Sequence, residues 1–310
     1  MHNTTRILAV LTVAGATIAL AGCADGASPG VSSSPSAASA QAASTDDLID
    51  AIEADPELVT LRGADFDRVA VGSSLVAPPA AYLEPDGTTP TGFEVDLMQA
   101  IGKKIGSEIE FSNAPFQTLI TGLTSERFGL VISEMNDTTD RQAELDFVDY
   151  YISDIAFITA EDRASEITDP ESLCGKTASV LPGSSQSYWV QDVNETTCAG
   201  DPVETVEVNS PSDALNNLKT GRQDVYLSET SLAAYTAANA ADGTFAAIIP
   251  AKQIDPAPWG IGVGKENAGL RDAVQQALQG LIDDGTYGEI LAAWDVDGGA
   301  VDVAAINGGK

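Results

Sequence analysis

The sequence predicts an α/β protein built as two lobes, and three observations lead there. From Asp67 onward, short β-rich runs alternate with amphipathic helical stretches, a pattern that favours parallel sheets covered by helices on both faces. The alternation comes as two successive sets, each long enough for a lobe. Beyond the amino-terminal segment, no apolar run of the 310 residues approaches the ~20 needed to span a membrane.

Taken in order, residues 1–6 carry one cation, and residues 7–21 (ILAVLTVAGATIALA) are almost wholly apolar before Gly22-Cys23. This predicts a signal peptide over 1–22 rather than a spanning helix. Small residues directly ahead of Cys23 resemble a lipobox, in which the thiol takes a diacylglycerol. Two acyl chains suffice for stable anchoring, so an extracytoplasmic protein tethered by lipid at Cys23 is expected. Ordinary cleavage leaving Cys23 as a free thiol is the alternative. Residues 24–44 are small, polar and broken by Pro29 and Pro35, which predicts a flexible tether over 23–45. Leu48, Ile49 and Ile52 then sit at helical spacing before Pro56, predicting a peripheral helix within an extension over 46–65.

The first α/β set opens with a strand over 68–73. A helix over 93–105 follows, with Phe93, Leu97, Ile101 and Ile105 at four-residue spacing. Strands are expected at 108–111, 129–132 and 156–159, and a helix at 116–123. The second set gives strands at 177–180, 205–208 and 224–226 and helices at 185–191, 212–220 and 231–239. A strand at 261–263 and helices at 268–284 and 287–293 complete the body. Residues 295–310 carry glycine pairs and no period, and the tail over 298–310 is expected to be mobile.

Composition excludes whole classes of chemistry. Lys and Arg number 15 against 46 Asp and Glu, and the formal charge of −31 argues against nucleic acid as a partner. His2, the sole histidine, leaves with the signal peptide. The mature chain therefore runs no Ser-His-Asp or Cys-His catalysis and binds no zinc through imidazole. With Cys23 acylated, Cys174 and Cys198 remain; in an oxidising compartment they read as one disulfide, two reduced structural thiols being the alternative. Asp295-Val296-Asp297-Gly298 opens like a calcium loop but lacks the remaining ligands. The glycines of 260–264 read as a strand, because no helix opens at the third of them. No metal or cofactor is implied.

Specific stretches then resemble one family. They are Gly92-Phe93-Glu94-Val95-Asp96-Leu97, RVAVGS followed by a proline pair, FQTLITGL, ISEMNDTTDRQAELDFVDYY, LCGKTASVLPGSSQ, TGRQDVYLSETSLAAY, PWGIGVGKE and DDGTYGEILAAW. In this order, over roughly 67–294, the chain resembles the family 3 extracellular solute-binding proteins, the receptors of polar amino acid ABC importers. The resemblance implies a two-lobed, type II periplasmic-binding-protein-like α/β fold whose lobes are joined by two crossing strands. Lobe 1 would comprise 66–154 and 251–297, lobe 2 would comprise 155–250, and the crossovers would lie near 155–160 and 246–249. It also implies a monomeric, non-enzymatic receptor that closes on an amino acid or related zwitterion and passes it to an ABC permease. A cyclohexadienyl-type dehydratase on the same fold is the alternative, for which only carboxylates such as Glu134 or Glu229 are available as general acid.

The site carries over residue by residue. Arg141 matches the arginine that grips the ligand α-carboxylate, a task suited to a planar guanidinium. Ser133 and Asn136 match a cleft-lining loop. Ser184 and Ser185 match a Gly-Thr-Thr turn at a helix start, where free N–H groups bind the same carboxylate; Ser184 also suits a simple helix cap. Glu229 stands where the family usually has an aspartate for the ligand ammonium. Ala77 and Ala80 replace the usual aromatics, leaving Phe116 and Tyr82 as candidate stacking walls. Glu134 adds an anion with no cation beside it in sequence. An unpaired carboxylate in a closed cleft favours a ligand with a further positive group, so a basic amino acid or guanidino compound is expected over an acidic one.

Overall fold

Two five-stranded mixed sheets, each covered on both faces, hold the chain. The computed structural model describes residues 45–240 and 243–310, so the expected signal peptide, Cys23 and the tether to residue 44 lie outside the described residues.

The extension forms two helices, not one. α1 (Asp46–Asp50) is short, and α2 (Pro56–Arg62) begins at the proline expected only to end a helix. Proline lacks the N–H that a first turn leaves unpaired anyway, and Asp55 caps the helix by accepting from Glu57 N at 2.8 Å. Buried Arg62 then donates to the carbonyls of Ile105 and Gly106 at the end of the following long helix.

After β1 (Arg68–Ser73), a small sheet of β2 (Val76–Ala77), β3 (Ala81–Leu83) and β4 (Pro90–Thr91) leads into α3 (Phe93–Ile105). Gly92 allows that entry: its φ is 124°, and a Cβ there would lie 2.1 Å from Ala80 O. Phe93, Leu97, Ile101 and Ile105 are all fully buried, as their spacing predicts. β5 (Glu108–Asn113), α4 (Leu119–Thr124), β6 (Leu130–Val131), α5 (Thr139–Gln142) and β7 (Leu145–Ser153) follow.

The chain then enters the second sheet with β8 (Ile155–Ala160), β9 (Thr177–Val180), α6 (Ser185–Glu195), β10 (Glu204–Glu207), α7 (Pro211–Lys219), β11 (Val225–Glu229), α8 (Thr230–Asn239) and β12 (Phe245–Ile248). It returns through β13 (Ala257–Gly264), α9 (Ala268–Asp283) and α10 (Thr286–Ala293). Cys174 and Cys198 form a disulfide, Cα atoms 5.1 Å apart, beside the second sheet.

Strand order is β5-β1-β6-β13-β7 in the first sheet and β10-β9-β11-β8-β12 in the second. The expectation of parallel sheets holds only for three strands of each. β13 runs antiparallel to β6 and β7, and β8 antiparallel to β11 and β12, because these strands carry the chain between sheets. The passages lie at Asp154, the single residue between β7 and β8, and over 249–256; Ile155 N donates to Ile254 O and ties them together. The expected crossovers, 155–160 and 246–249, are thus adjacent strands of the second sheet beside these passages.

β7 and the carboxyl terminus depart most from expectation. β7 is an edge strand in an otherwise complete sheet, and the tail covers that edge rather than remaining loose. Asp149 N donates to Ala305 O, Asn307 N to Phe147 O, and Phe147 N to Asn307 Oδ1. Gly309 N reaches Asp137 Oδ2, and Lys310 O accepts from Thr139 N.

Candidate functional site

The two sheets point the carboxyl ends of their parallel strands at one cavity, the usual ligand position in open α/β sheets. β1 delivers Ser74, β6 delivers Ser133 and Glu134, and the turn after β9 delivers Ser184, Ser185 and Gln186. β11 delivers Tyr226, Ser228 and Glu229, and Phe116 closes one side. No lysine or arginine is among the lining residues.

Hydrogen bonds cross this cleft. Ser185 Oγ donates to Asn136 Oδ1 at 2.9 Å, joining the start of α6 to the loop after β6. Ser184 caps α6, its Oγ accepting from Ser187 N, and it also lines the cavity. Ser133 Oγ accepts from Ser74 N.

Arg141 lies at the end of α5 and spans the two halves differently. Its Nη1 donates to Asn136 O at 2.7 Å and its Nη2 to Gly183 O at 3.0 Å, with the guanidinium 5.6 Å from the Phe116 ring centre. It lines the space beyond Phe116, beside Tyr188, rather than the cavity of Glu134 and Glu229. Burial lowers its pKa, opposed by the fields of Tyr188, Glu229 and Asp137.

Glu229 is only 8% exposed, and its Oε1 accepts from Gln186 Nε2. Burial pushes its carboxyl up to about 7, although the hydrogen bond from Gln186 pulls the other way. Glu134 does face the cavity. Its backbone is left-handed, φ 47°, and its N–H donates to Glu94 Oε1 at 2.6 Å. Burial, then the charges of Glu94 and Glu229, push the Glu134 carboxyl well above the usual range. Glu94 is fully buried behind it, accepts from Tyr150 Oη, and is itself raised by burial.

Tyr82 does not belong with this group. It packs edge-on against Trp294, ring centres 6.4 Å apart; burial, then the neighbouring Tyr235, lifts its phenol to about 12. On β3 it stands opposite Val76 of β2 and Thr91 of β4, and it is not among the residues that line the cavity. Sequence reasoning missed Gln186, Ser74, Ser228 and Glu94. Gln186 and Glu94 both stand inside quoted stretches, GSSQ and GFEVDL; nothing in the helical spacing around Phe93 marks Glu94 as facing the cleft rather than solvent.

A cleft between two α/β lobes, lined by carboxyls, hydroxyls and a helix start, defines a two-lobed solute-binding protein. Residues 69–297 match the bacterial extracellular solute-binding proteins, family 3, and the chain belongs to that family. The arginine-binding extracellular protein ArtP of Bacillus subtilis (strain 168) is 30% identical over 229 residues, covering 73% of this chain and 86% of that protein. The ABC transporter arginine-binding protein 1 of Escherichia coli (strain K12) is 27% identical, covering 76% and 93%. A solved ancestral arginine-binding protein bound to arginine aligns with TM-score 0.67 at 29% identity, covering 74% and 98%. No helix of the described residues is long and apolar enough to cross a membrane.

Proposed function

We propose that this chain captures an amino acid bearing a second positive charge and hands it to an ABC permease, working as a monomer exported and held at the membrane by lipid on Cys23. The ligand class rests on one observation: Glu134 and Glu229 line the cavity and no cationic side chain does. Buried carboxylates without a partner are costly, and a ligand that supplies positive charge removes that cost. The relatives named as arginine-binding support the same class.

In this reading Arg141 exchanges the Gly183 carbonyl for the ligand α-carboxylate, a charge-assisted and bidentate contact in place of a neutral one. The N-terminus of α6 and the Ser185 hydroxyl add donors to that carboxylate. Glu229, already positioned by Gln186, receives the α-ammonium. Hinge motion about Asp154 and 249–256 admits and encloses the ligand.

Calorimetry with arginine, lysine, ornithine, glutamine and glutamate tests the ligand class. Tight binding of a basic amino acid is expected; tight binding of glutamate with none of arginine, lysine or ornithine would sink it. For the anchor, Cys23→Ser should release the protein from membranes, and unchanged membrane retention would remove the lipid from the account.

A further inference from the structure

Glu134 and Glu94 form a pair that the cavity alone does not explain. Glu134 is a non-glycine residue held at positive φ, a conformation that persists only where surroundings impose it. Its N–H is fixed on Glu94 Oε1, and that same oxygen accepts from Tyr150 Oη. The other ends of the pair are orphaned: Glu134 Oε1 and Glu94 Oε2 are both out of solvent with no hydrogen-bonding partner among the described residues. Ser228, 3% exposed, lines the same cavity with its Oγ also unpartnered.

The ionisable groups around Glu134 are Glu94 from α3, Tyr150 and Tyr151 from β7, and Tyr226 and Glu229 from β11. All are acids. Arg141 is turned to the Asn136 and Gly183 carbonyls. Two neighbouring buried carboxyls cannot both ionise cheaply, so one of them keeps its proton until a positive group arrives.

We propose that Glu134, held in place by Glu94, is the specificity-determining counter-ion for the ligand's side-chain cation, and that this cation enters in exchange for a proton carried by the pair. The inference rests on the amino-acid-receptor reading above. One carboxyl O–H bond breaks, its proton passes to the buffer, and the ammonium or guanidinium takes its place, so the charge inside the cleft is unchanged. Burial raises both carboxyls, and the charge of Glu94 raises Glu134 further, so the pair holds a proton near neutral pH. Affinity for a cationic ligand therefore rises as pH increases from 5 towards 8, because less work is needed to remove the proton.

L-arginine and L-citrulline separate the charge from the shape, since citrulline replaces the guanidinium with a neutral urea of similar size. Calorimetry at pH 7 in phosphate and in Tris, whose ionisation enthalpies differ, counts the protons released. The wild-type chain should prefer arginine by roughly ten- to a hundredfold, the range for a charged hydrogen bond, and release a proton with arginine but not with citrulline. Glu134→Gln should bring the two ligands to comparable affinity and remove the release, and Glu134→Ser should do the same if the glutamine variant folds poorly. Equal wild-type affinity for the two ligands, or an unchanged preference and release in the variants, would overturn the inference while leaving the receptor reading standing. Failure to bind any amino acid overturns the receptor reading, and this inference with it.

Discussion

At the residue scale, Glu229 stands where charge is useful for capture and unfavourable for folding. Its carboxyl, raised from 4.5 to about 7 by burial, holds more proton in the folded than the unfolded chain between those values. Stability thus falls as pH rises through that window and is lowest, from this group, above about 7. Glu229→Gln removes the burden, by at most about 3 kcal/mol for a shift of this size. The variant should melt at higher temperature than wild type at pH 8 and show little difference at pH 4; a variant destabilised at pH 8 would mean that Glu229 is satisfied where it lies. Arg141 makes the opposite case. Arg141→Ala should leave the circular dichroism spectrum intact and weaken amino acid binding by over a hundredfold, about 3–5 kcal/mol for stranding a buried carboxylate. Unchanged affinity by calorimetry would take Arg141 out of the site. Glu229, Ser133, Glu134, Asn136, Ser184 and Ser185 were legible as cavity-lining residues because ordered motifs fix their register, whereas Arg141 lines the neighbouring space. Glu94 was not legible, because its function comes from what packs behind it, which spacing does not encode.

Element by element, helices proved more legible than strands. The start and end of α9 lie within a residue of expectation, since a long apolar stripe marks its own limits. β7 was missed, although it is the longest strand of either sheet, because Asp146 and Asp149 interrupt its apolar run. Both are buried and both find partners far along the chain: Arg271, Lys265 and Asn307 for Asp146, Gly308 N for Asp149. No local signal announces such pairing, and the same contacts order a tail whose own sequence has no period. Deleting residues 301–310 should therefore lower the melting temperature and promote self-association. Each hydrogen bond lost from a buried carboxylate costs about 1.5–3 kcal/mol, and the bare β7 edge becomes available to a second chain. Unchanged melting and a monomeric profile by light scattering would show that the tail is dispensable. The disulfide is separable from the site: with its cysteines 24 positions apart in sequence, Cys174→Ala with Cys198→Ala should cost about 3 kcal/mol and leave ligand preference as it was.

For the whole molecule, the question is what sets the balance between open and closed lobes. Asp154 and residues 249–256 are thin connections, so closure depends on contacts made between the halves. Some of these contacts lie at the cavity, as Ser185 with Asn136 does, and are entangled with ligand binding. Tyr82 offers a cleaner handle. It sits on β3 of the first half, outside the cavity lining, and its phenol feels Tyr235 on α8 of the second. Removing that hydroxyl leaves the aromatic packing on Trp294 in place and takes away only a polar approach across the halves, worth no more than a neutral hydrogen bond. A neutral hydrogen bond contributes about 0.5–1.5 kcal/mol, and affinity falls with the fraction of molecules able to close. Tyr82→Phe should therefore weaken every ligand by one common factor, about two- to tenfold, with their ranking preserved. Small-angle scattering of the variant without ligand should show a larger radius of gyration than wild type. A change in preference between arginine and glutamine, with the radius unchanged, would instead return Tyr82 to the binding surface as a ligand contact.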